Sequence, residues 1–338
     1  MNTIGQQFRL TTFGESHGTA IGGVIDGCPS QLHLDFGFID SELQRRKTAQ
    51  APNASQRREP DRIEWLSGLM DGVTLGTPIA FLVRNEDCRS DDYEAMKDVF
   101  RPSHADFTYQ QKYGIRDWRG GGRASARTTL PVVVAGAIAK QILKPLGIEI
   151  VAEVAAMGDA EQARREGDTV GGIAECRILG VPAGLGEPMF NKYSAALAHA
   201  MFSIPAVKGF EVGDGFALAA MKGTEANDTF INRDEGLGTS GHETAGHGTI
   251  TTLTNHSGGI QGGISNGNEV VFRVAFKPIP SVGMGDRHDV CALPRALVIV
   301  EALAAMVTMD MKWMMRYLAK NPITPEITIS KIGFALKK

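Results

Sequence analysis

No uninterrupted apolar run in this 338-residue chain reaches the roughly 20 residues that cross a bilayer. The longest, Leu130–Ala139 and Ala296–Val300, are closed by Lys140 and Glu301, so no membrane partner is expected. Cysteine is scarce. Cys28, Cys88, Cys176 and Cys291 stand far apart and form no CxxC pair, which argues against a disulfide scaffold and for a reduced, cytoplasmic interior. Charge of one sign is not in excess either, since 35 Lys and Arg face 38 Asp and Glu for a net charge of −3. That disfavours a generally basic nucleic-acid binder, and 43% hydrophobic residues disfavour disorder. Residues 1–18 hold no basic stretch followed by an apolar one, so no secretory leader is expected. GxxxxGK[ST] is absent, as is GxGxxG after a strand, and with them the motifs of a P-loop nucleotide hydrolase or a dinucleotide-binding fold.

Glycine is present in excess. Forty residues, about 12%, compare with a usual level of roughly 7%. They cluster at Gly120–Gly122, Gly236–Gly248, Gly258-Gly259 and Gly262-Gly263. Such clusters let backbone approach a ligand closely or supply positive φ in tight turns.

Period-two or β-rich runs predict strands over Ile21–Ile25, Arg62–Leu66, Ile79–Val83, Ile148–Val154, Gly171–Leu179, Phe210–Met221, Thr249–Leu253, Glu269–Phe276 and Glu326–Ser330. Helices are expected over Asp35–Lys47, Leu130–Leu143, Lys192–Phe202 and Pro294–Leu318. Pro131 falls in a first turn, where its missing N–H does no harm. Strands come in groups with helices between them, which predicts an α+β fold with antiparallel sheet and argues against a doubly wound one. The length suits one large domain or two ordinary ones.

Four segments could carry chemistry. In Phe13-Gly14-Glu15-Ser16-His17-Gly18 a histidine sits among small residues on a turn, poorly placed for core packing and titrating near neutrality. A turn histidine bonded only to backbone is the plain alternative. From Arg101 to Arg127 the chain holds five arginines and one lysine around Gly120-Gly121-Gly122, with His104 near the start. Backbone N–H groups, a helix N-terminus and convergent arginines are what a phosphate or polycarboxylate needs. Asn255–Gly267 is a second glycine-rich loop, and the strand after it ends at Lys277-Pro278-Ile279-Pro280-Ser281, a rigidly held cation. Asp286-Arg287-His288-Asp289 precedes the last helix. No metal is expected, because neither His242…His247 nor His288…Cys291 has a ligand pair at structural-zinc spacing. Arg45-Arg46-Lys47 and Arg57-Arg58 add positive charge, and the first group also suits a helix C-terminus.

In this order the segments resemble the chorismate synthase family over nearly the whole chain. The match includes Gly14–Gly18, Arg58-Glu59-Pro60-Asp61, Gly76-Thr77-Pro78, Arg101–Arg127, Gly180–Gly186, Val207-Lys208-Gly209, Ser257–Gly267, Lys277-Pro278 and Arg287-His288-Asp289. The resemblance implies one domain over residues 1–338, a β-α-β sandwich with helices between two antiparallel four-stranded sheets, and a cytoplasmic homotetramer. It implies a lyase that eliminates phosphate from 5-enolpyruvylshikimate-3-phosphate to give chorismate, with reduced FMN (FMNH2) required and no net redox change. NADPH is needed only if the chain reduces its own flavin. By the family's roles, His17 protonates or holds the reduced flavin, His104 protonates the departing phosphate, and Asp289 assists proton removal. The flavin side falls on Arg123, Ala124, Ser125, Pro205, Ala206, Gly262, Lys277, Pro278, Ile279, Pro280, Ser281 and Arg287. Arg46 falls on a family arginine that binds anionic ligand, and Arg45 and Arg127 are further expectations for substrate.

The chain departs from the family at Ala124 and Thr128, where a serine and a glutamate are usual. It has Lys47-Thr48-Ala49 for Arg-Pro-Gly, Pro52 near a second family arginine, and Val290 for proline. The segment Ser281–Arg287 is shorter than the family's loop, which predicts weaker flavin binding and slower turnover. Two alternatives stay open at this point: a flavin- or anion-binding relative with impaired catalysis, and a metal-dependent hydrolase built on His242, His247 and His288.

Overall fold

Alternating burial builds two antiparallel sheets whose apolar faces look at each other. The structure, a computed structural model, describes residues 1–47, 59–88, 93–94, 96–232, 250–280 and 290–318. The first sheet runs β1 (Thr3–Ile4), β2 (Arg9–Phe13), β3 (Ala20–Asp26), β7 (Ile79–Arg84), β4 (Ile63–Trp65) in that spatial order. The second runs β10 (Val207–Val212), β15 (Val270–Phe276), β9 (Gly172–Leu179), β8 (Glu149–Met157). Leu10, Ile21, Ile25, Ile79 and Phe81 bury the inner face of the first sheet; Ala174, Cys176, Ile178, Phe272 and Val274 bury that of the second.

Helices fill the space between them. α3 (Leu130–Leu143) and α7 (Leu293–Leu318) form the central pair. A side chain on Gly136 would collide with Ala302, so that glycine lets the two backbones close on each other. α1 (Phe36–Lys47) packs on both, and α5 (Tyr193–Met201) packs on α7 and β10. By length and composition alone the helical stretch Arg119–Leu146 is apolar enough to cross a membrane; its apolar residues instead fill the core, where Leu130, Val134, Ala135, Ala137, Ile138 and Leu143 are fully buried. Hairpins β5–β6 (Leu69–Met70, Val73–Thr74), β11–β12 (Phe230–Asn232, Ile250–Thr252) and β13–β14 (Ile260–Gln261, Ile264–Ser265) decorate the sandwich. So do the short helices α2 (Asp106–Tyr113), α4 (Ala160–Glu166) and α6 (Gly223–Ala226).

The α+β sandwich and its antiparallel sheets follow the expectation, with differences in detail. The first sheet carries β1 as a fifth, two-residue edge strand. The run Phe210–Met221 is not one strand. It ends at Val212, because Gly213 and Gly215 take φ of 58° and 53°, and 215–220 coils into a 3-10 turn. The strand expected over Glu326–Ser330 lies outside the described residues.

Candidate active site

The turn bearing His17 is the connection between β2 and β3. Gly14 takes φ of 93° as the chain leaves β2, a conformation that suits glycine. The Gly18 amide donates to Glu15 O at 3.1 Å and closes the turn. His17 itself is 8% exposed, and Tyr93 meets its ring edge-on with centroids 5.1 Å apart. Asn85, just past β7, fastens the turn from outside: its Nδ2 donates to Glu15 O at 3.0 Å and to Gly18 O at 2.8 Å.

The glycine triad lies against this turn. Gly120, Gly121 and Gly122 take positive φ of 57°, 79° and 52°; the first two are left-handed, which other residue types would adopt only at a cost of roughly 1–2 kcal/mol each, and Gly122, with ψ of −124°, lies in a region that glycine alone enters readily. A methyl group on Gly120 would collide with Cε1 and Nδ1 of His17. On Gly121 it would stand 3.4 Å from Cε1 and Nε2 of His104. Gly122 O accepts from the Ser16 amide at 3.1 Å. The triad therefore brings the two histidines to one place.

His104 sits in a self-contained cluster at the start of α2. Ser103 takes φ of 57° and turns the chain so that residues 101, 104 and 106 converge. Arg101 donates to Asp106 through Nε at 2.7 Å and Nη2 at 3.0 Å, and Arg116 Nη1 adds a third charged donor at 3.1 Å. His104 Nδ1 lies 3.0 Å from Asp106 Oδ1. Burial works to raise the Asp106 carboxyl, but the Arg101 hydrogen bond and the surrounding positive charge hold it at about 2. Burial, then the Arg101 charge, push His104 below its ordinary value while Asp106 pulls it partly back. Lys277 arrives from the end of β15, its Nζ donating to Ser103 O at 3.0 Å.

A second cationic cluster lies behind the His17 turn. Arg46 Nη2 and Arg127 Nη1 grip opposite oxygens of Asp61 at 2.8 and 2.7 Å, and Lys47 Nζ stands 3.6 Å from that carboxylate. Arg127 Nε donates to Asn85 Oδ1 at 2.7 Å, so one amide joins this cluster to the His17 turn. Burial would raise the Asp61 carboxyl; Arg46 and Arg127 outweigh it and hold the group low. Complete burial lowers the Arg46 guanidinium to about 10, and its Nε has no acceptor among the described residues.

The other expected site residues divide. Pro205 and Ala206 lie beside Lys277, whose amide donates to Ala206 O at 2.9 Å. Ile279 O accepts from Thr169 Oγ1 at 2.8 Å, so Lys277–Pro280 forms an edge that reaches His104 through Ser103. Arg123 donates to Gly14 O at 3.2 Å and to Thr12 O at 3.1 Å, with Thr12 Oγ1 also on Nη2; it stitches the triad to β2. Ala124 follows, and Ser125 caps the turn before α3 by accepting from the Arg127 amide. Gly262 belongs to the β13–β14 hairpin, which docks on Leu185 and Tyr193 rather than on the histidine turns. Arg45 joins different company: it is bidentate to Glu301 at 2.6 and 2.8 Å and bonds Glu42 at 2.7 Å, at the solvent edge of the helix layer. Ser281, Arg287 and Asp289 lie outside the described residues, as do His242, His247, His288, Arg57, Arg58 and the 281–287 segment. Sequence reading missed Asn85, Asp61, Asp106 and Tyr93. Only Asp61 and Asp106 had a signal, each standing in a motif quoted for its arginines.

Comparison with known proteins identifies the family. A profile of the family described as chorismate synthase matches residues 8–163 and 159–313. The chain is 47% identical to the chorismate synthase of Porphyromonas gingivalis, over 92% of this chain and 95% of that one. It is 47% identical to that of Parabacteroides distasonis, over 92% and 97%. A crystal structure of chorismate synthase superposes with a TM-score of 0.73 at 30% identity, covering 92% of this chain and 93% of the other. The chain belongs to the chorismate synthase family.

Proposed function

We propose that the chain is a chorismate synthase, a lyase that eliminates phosphate from 5-enolpyruvylshikimate-3-phosphate to give chorismate, the last step of the shikimate route to aromatic amino acids. The observation that carries this reading is the meeting of His17 and His104 on adjacent glycines, with Arg101, Arg116 and Lys277 gathered at His104. His104 turns its Cε1–Nε2 edge to Gly121, so a proton on Nε2 is the one offered to the departing phosphate. A histidine is suited to that work near neutral pH. Arg101 beside it offsets the charge that develops on the phosphate. Arg46 and Arg127 are the substrate-side arginines in this reading. Asp289 keeps its expected part in proton removal.

The residues present fit reduced FMN. Lys277 spends one of three N–H donors on Ser103, and a methyl on Gly262 would meet nothing within 4 Å. Arg123, Ala124, Ser125, Pro205, Ala206, Gly262 and Lys277–Pro280 would hold it, with Ser281 and Arg287. When bound, the reduced flavin lends electron density to the elimination and recovers it, leaving the protein to supply position and protons. The same reading makes the protein a cytoplasmic homotetramer; four cysteines that form no disulfide suit a reducing compartment. NADPH enters only if the chain reduces its own flavin.

The test is anaerobic turnover with dithionite-reduced FMN, then with NADPH and oxidised FMN. Chorismate and phosphate in equal amounts are expected with reduced flavin. Folded protein that binds flavin but releases no phosphate overturns the reading in favour of a binding relative.

A further inference from the structure

His104 is enclosed on its Nδ1 side by two groups with opposite requirements. Arg101 Nη2 stands 3.1 Å away and can only donate, so it suits a bare Nδ1. Asp106 Oδ1 stands 3.0 Å away and, being ionised, can only accept, so it suits Nδ1–H. The general-acid form of the ring carries hydrogens on both nitrogens. In that form Nδ1–H needs an acceptor, and among the described residues Asp106 is the one at hand.

We propose that Asp106 is the positioning residue of the reaction: it keeps the His104 proton on Nδ1 throughout, so that Nε2, facing Gly121, is the atom that gives up and regains a proton. The proposal rests on the reading of His104 as the acid that meets the departing phosphate. In the step itself the Nε2–H bond breaks, a phosphate O–H bond forms, and the electron pair stays on Nε2. His104 passes from imidazolium to the neutral Nδ1–H tautomer, and solvent returns the proton after release. Asp106 remains a carboxylate, because Arg101 grips it through Nε, Nη2 and its own backbone amide and Arg116 adds another hydrogen bond. Those bonds also fix its place. Arg116 is itself anchored on the carbonyls of Met96, Lys97 and Val99 at 2.7 to 3.0 Å.

The charged groups facing His104 among the described residues are Arg101, Asp106 and Arg116, with Lys277 one carbonyl away on Ser103. Asp106 is the single negative one. Its neutral replacement leaves the ring among cations, which lowers the pH at which His104 protonates by about one to three units. A purely structural role for Asp106 would lower stability without moving that titration.

The experiment uses the full chain labelled with ¹⁵N-histidine, and two-bond proton–nitrogen correlations read each ring. Of the eight histidines, His104 is identified by loss of its signals in His104→Gln. In the wild type the neutral ring is expected as the Nδ1–H tautomer. Asp106→Asn is expected to move it toward Nε2–H and to titrate one to three units lower, with turnover falling at neutral pH and recovering as the pH is lowered. A wild-type ring carrying its proton on Nε2 overturns the proposal, and that measurement stands even if Asp106→Asn does not fold. An unchanged tautomer and titration in folded Asp106→Asn overturns it too. If His104→Gln turns over normally, the acid role of His104 falls instead, and the tautomer measurement still decides what Asp106 does to the ring.

Discussion

His17 and His104 press on adjacent residues of one backbone turn: the Cε1–Nδ1 edge of His17 lies against Gly120, and the Cε1–Nε2 edge of His104 against Gly121. One peptide unit, about 3.8 Å between Cα atoms, is the spacer between the two backbone positions that the imidazoles contact. A peptide plane cannot stretch. Both rings therefore pack on one short stretch of rigid backbone, and in the proposed reading a ligand at the triad meets both.

That spacer makes the two glycines unequal. In Gly120→Ala the methyl collides with the His17 ring, and the left-handed φ adds strain. Displacing a catalytic group by about 1 Å can cost on the order of 10² in rate, and a loss of that size in kcat is expected. In Gly121→Ala the methyl makes ordinary contact with His104, so only the backbone cost of roughly 1–2 kcal/mol applies. Thermal melting and kcat of the two variants decide it. Equal effects on kcat would mean that the triad does not set His17.

Asn85 uses both ends of its amide. Its NH₂ holds the two carbonyls that flank the His17 turn, and its oxygen holds Arg127 Nε. Asn85→Asp puts a carboxylate oxygen against those carbonyls and is expected to be worse than Asn85→Ala, even though it keeps the Arg127 partner. The alanine variant is expected to lose about 1–3 kcal/mol of stability and to lower kcat more than it raises KM. An aspartate variant that matches the wild type in kcat would show that the turn holds without the amide.

How much of this was legible beforehand depended on whether a residue's reason was local. Gly120–Gly122 announced themselves because three successive residues of positive φ are a backbone requirement visible in one short string. The core helices were legible for the same cause: Leu130–Leu143 follows from its own composition. Asp61, Asn85 and Asp106 were not, because each matters through partners brought to it by the fold. Arg45 and Arg46 show the limit most plainly. Adjacent helix positions point about 100° apart, so one arginine reaches Asp61 and the other Glu301, and no composition argument chooses between them. Phe210–Met221 failed differently: the alternation was real, but Gly213 and Gly215 turn the chain before it can be used.

Asp61 and Asp106 give the fold a definite acid response. Asp106 titrates at about 2 in the folded protein against an ordinary 3.8, and Asp61 is also held low by Arg46 and Arg127 against the effect of burial. Between the two values the unfolded chain binds more protons than the folded one, so stability falls as the pH drops through that window and is flat above it. Melting temperature is expected to decline from about pH 4 toward pH 2. Asp61→Asn is expected to be less stable by about 3–5 kcal/mol at neutral pH, since it takes the carboxylate from the buried Arg46 and leaves Arg127 with only Asn85 and Glu59, and to show a shallower decline below pH 4. Parallel curves for variant and wild type would remove Asp61 from this account.

Arg45 and Arg46 offer a test of which arginine serves substrate in the proposed reading. Glu301 on α7 accepts from Arg45 on α1, Lys140 on α3 and the Ala152 amide of β8, so one buried carboxylate ties the helix layer to the second sheet. Burial would raise that carboxyl, and Arg45 with Lys140 holds it below its usual range instead. Arg45→Met leaves Lys140 as the cation shared by Glu42 and Glu301 among the described residues, with the Ala152 amide still on Glu301. It is expected to cost about 1–3 kcal/mol, less than a fully buried pair because solvent reaches part of Arg45, and to leave KM within a few-fold. Arg46→Met removes a guanidinium on the proposed substrate side and also one of the two that grip Asp61, so it is expected to lower stability as well. A charged hydrogen bond to an anionic substrate is worth about 1.5–3 kcal/mol, so KM is expected to rise roughly 10- to 100-fold. Steady-state kinetics beside melting curves read both. A large rise in KM for Arg45→Met with an unchanged melting temperature would return Arg45 to the substrate side and make the Glu301 network incidental to its role.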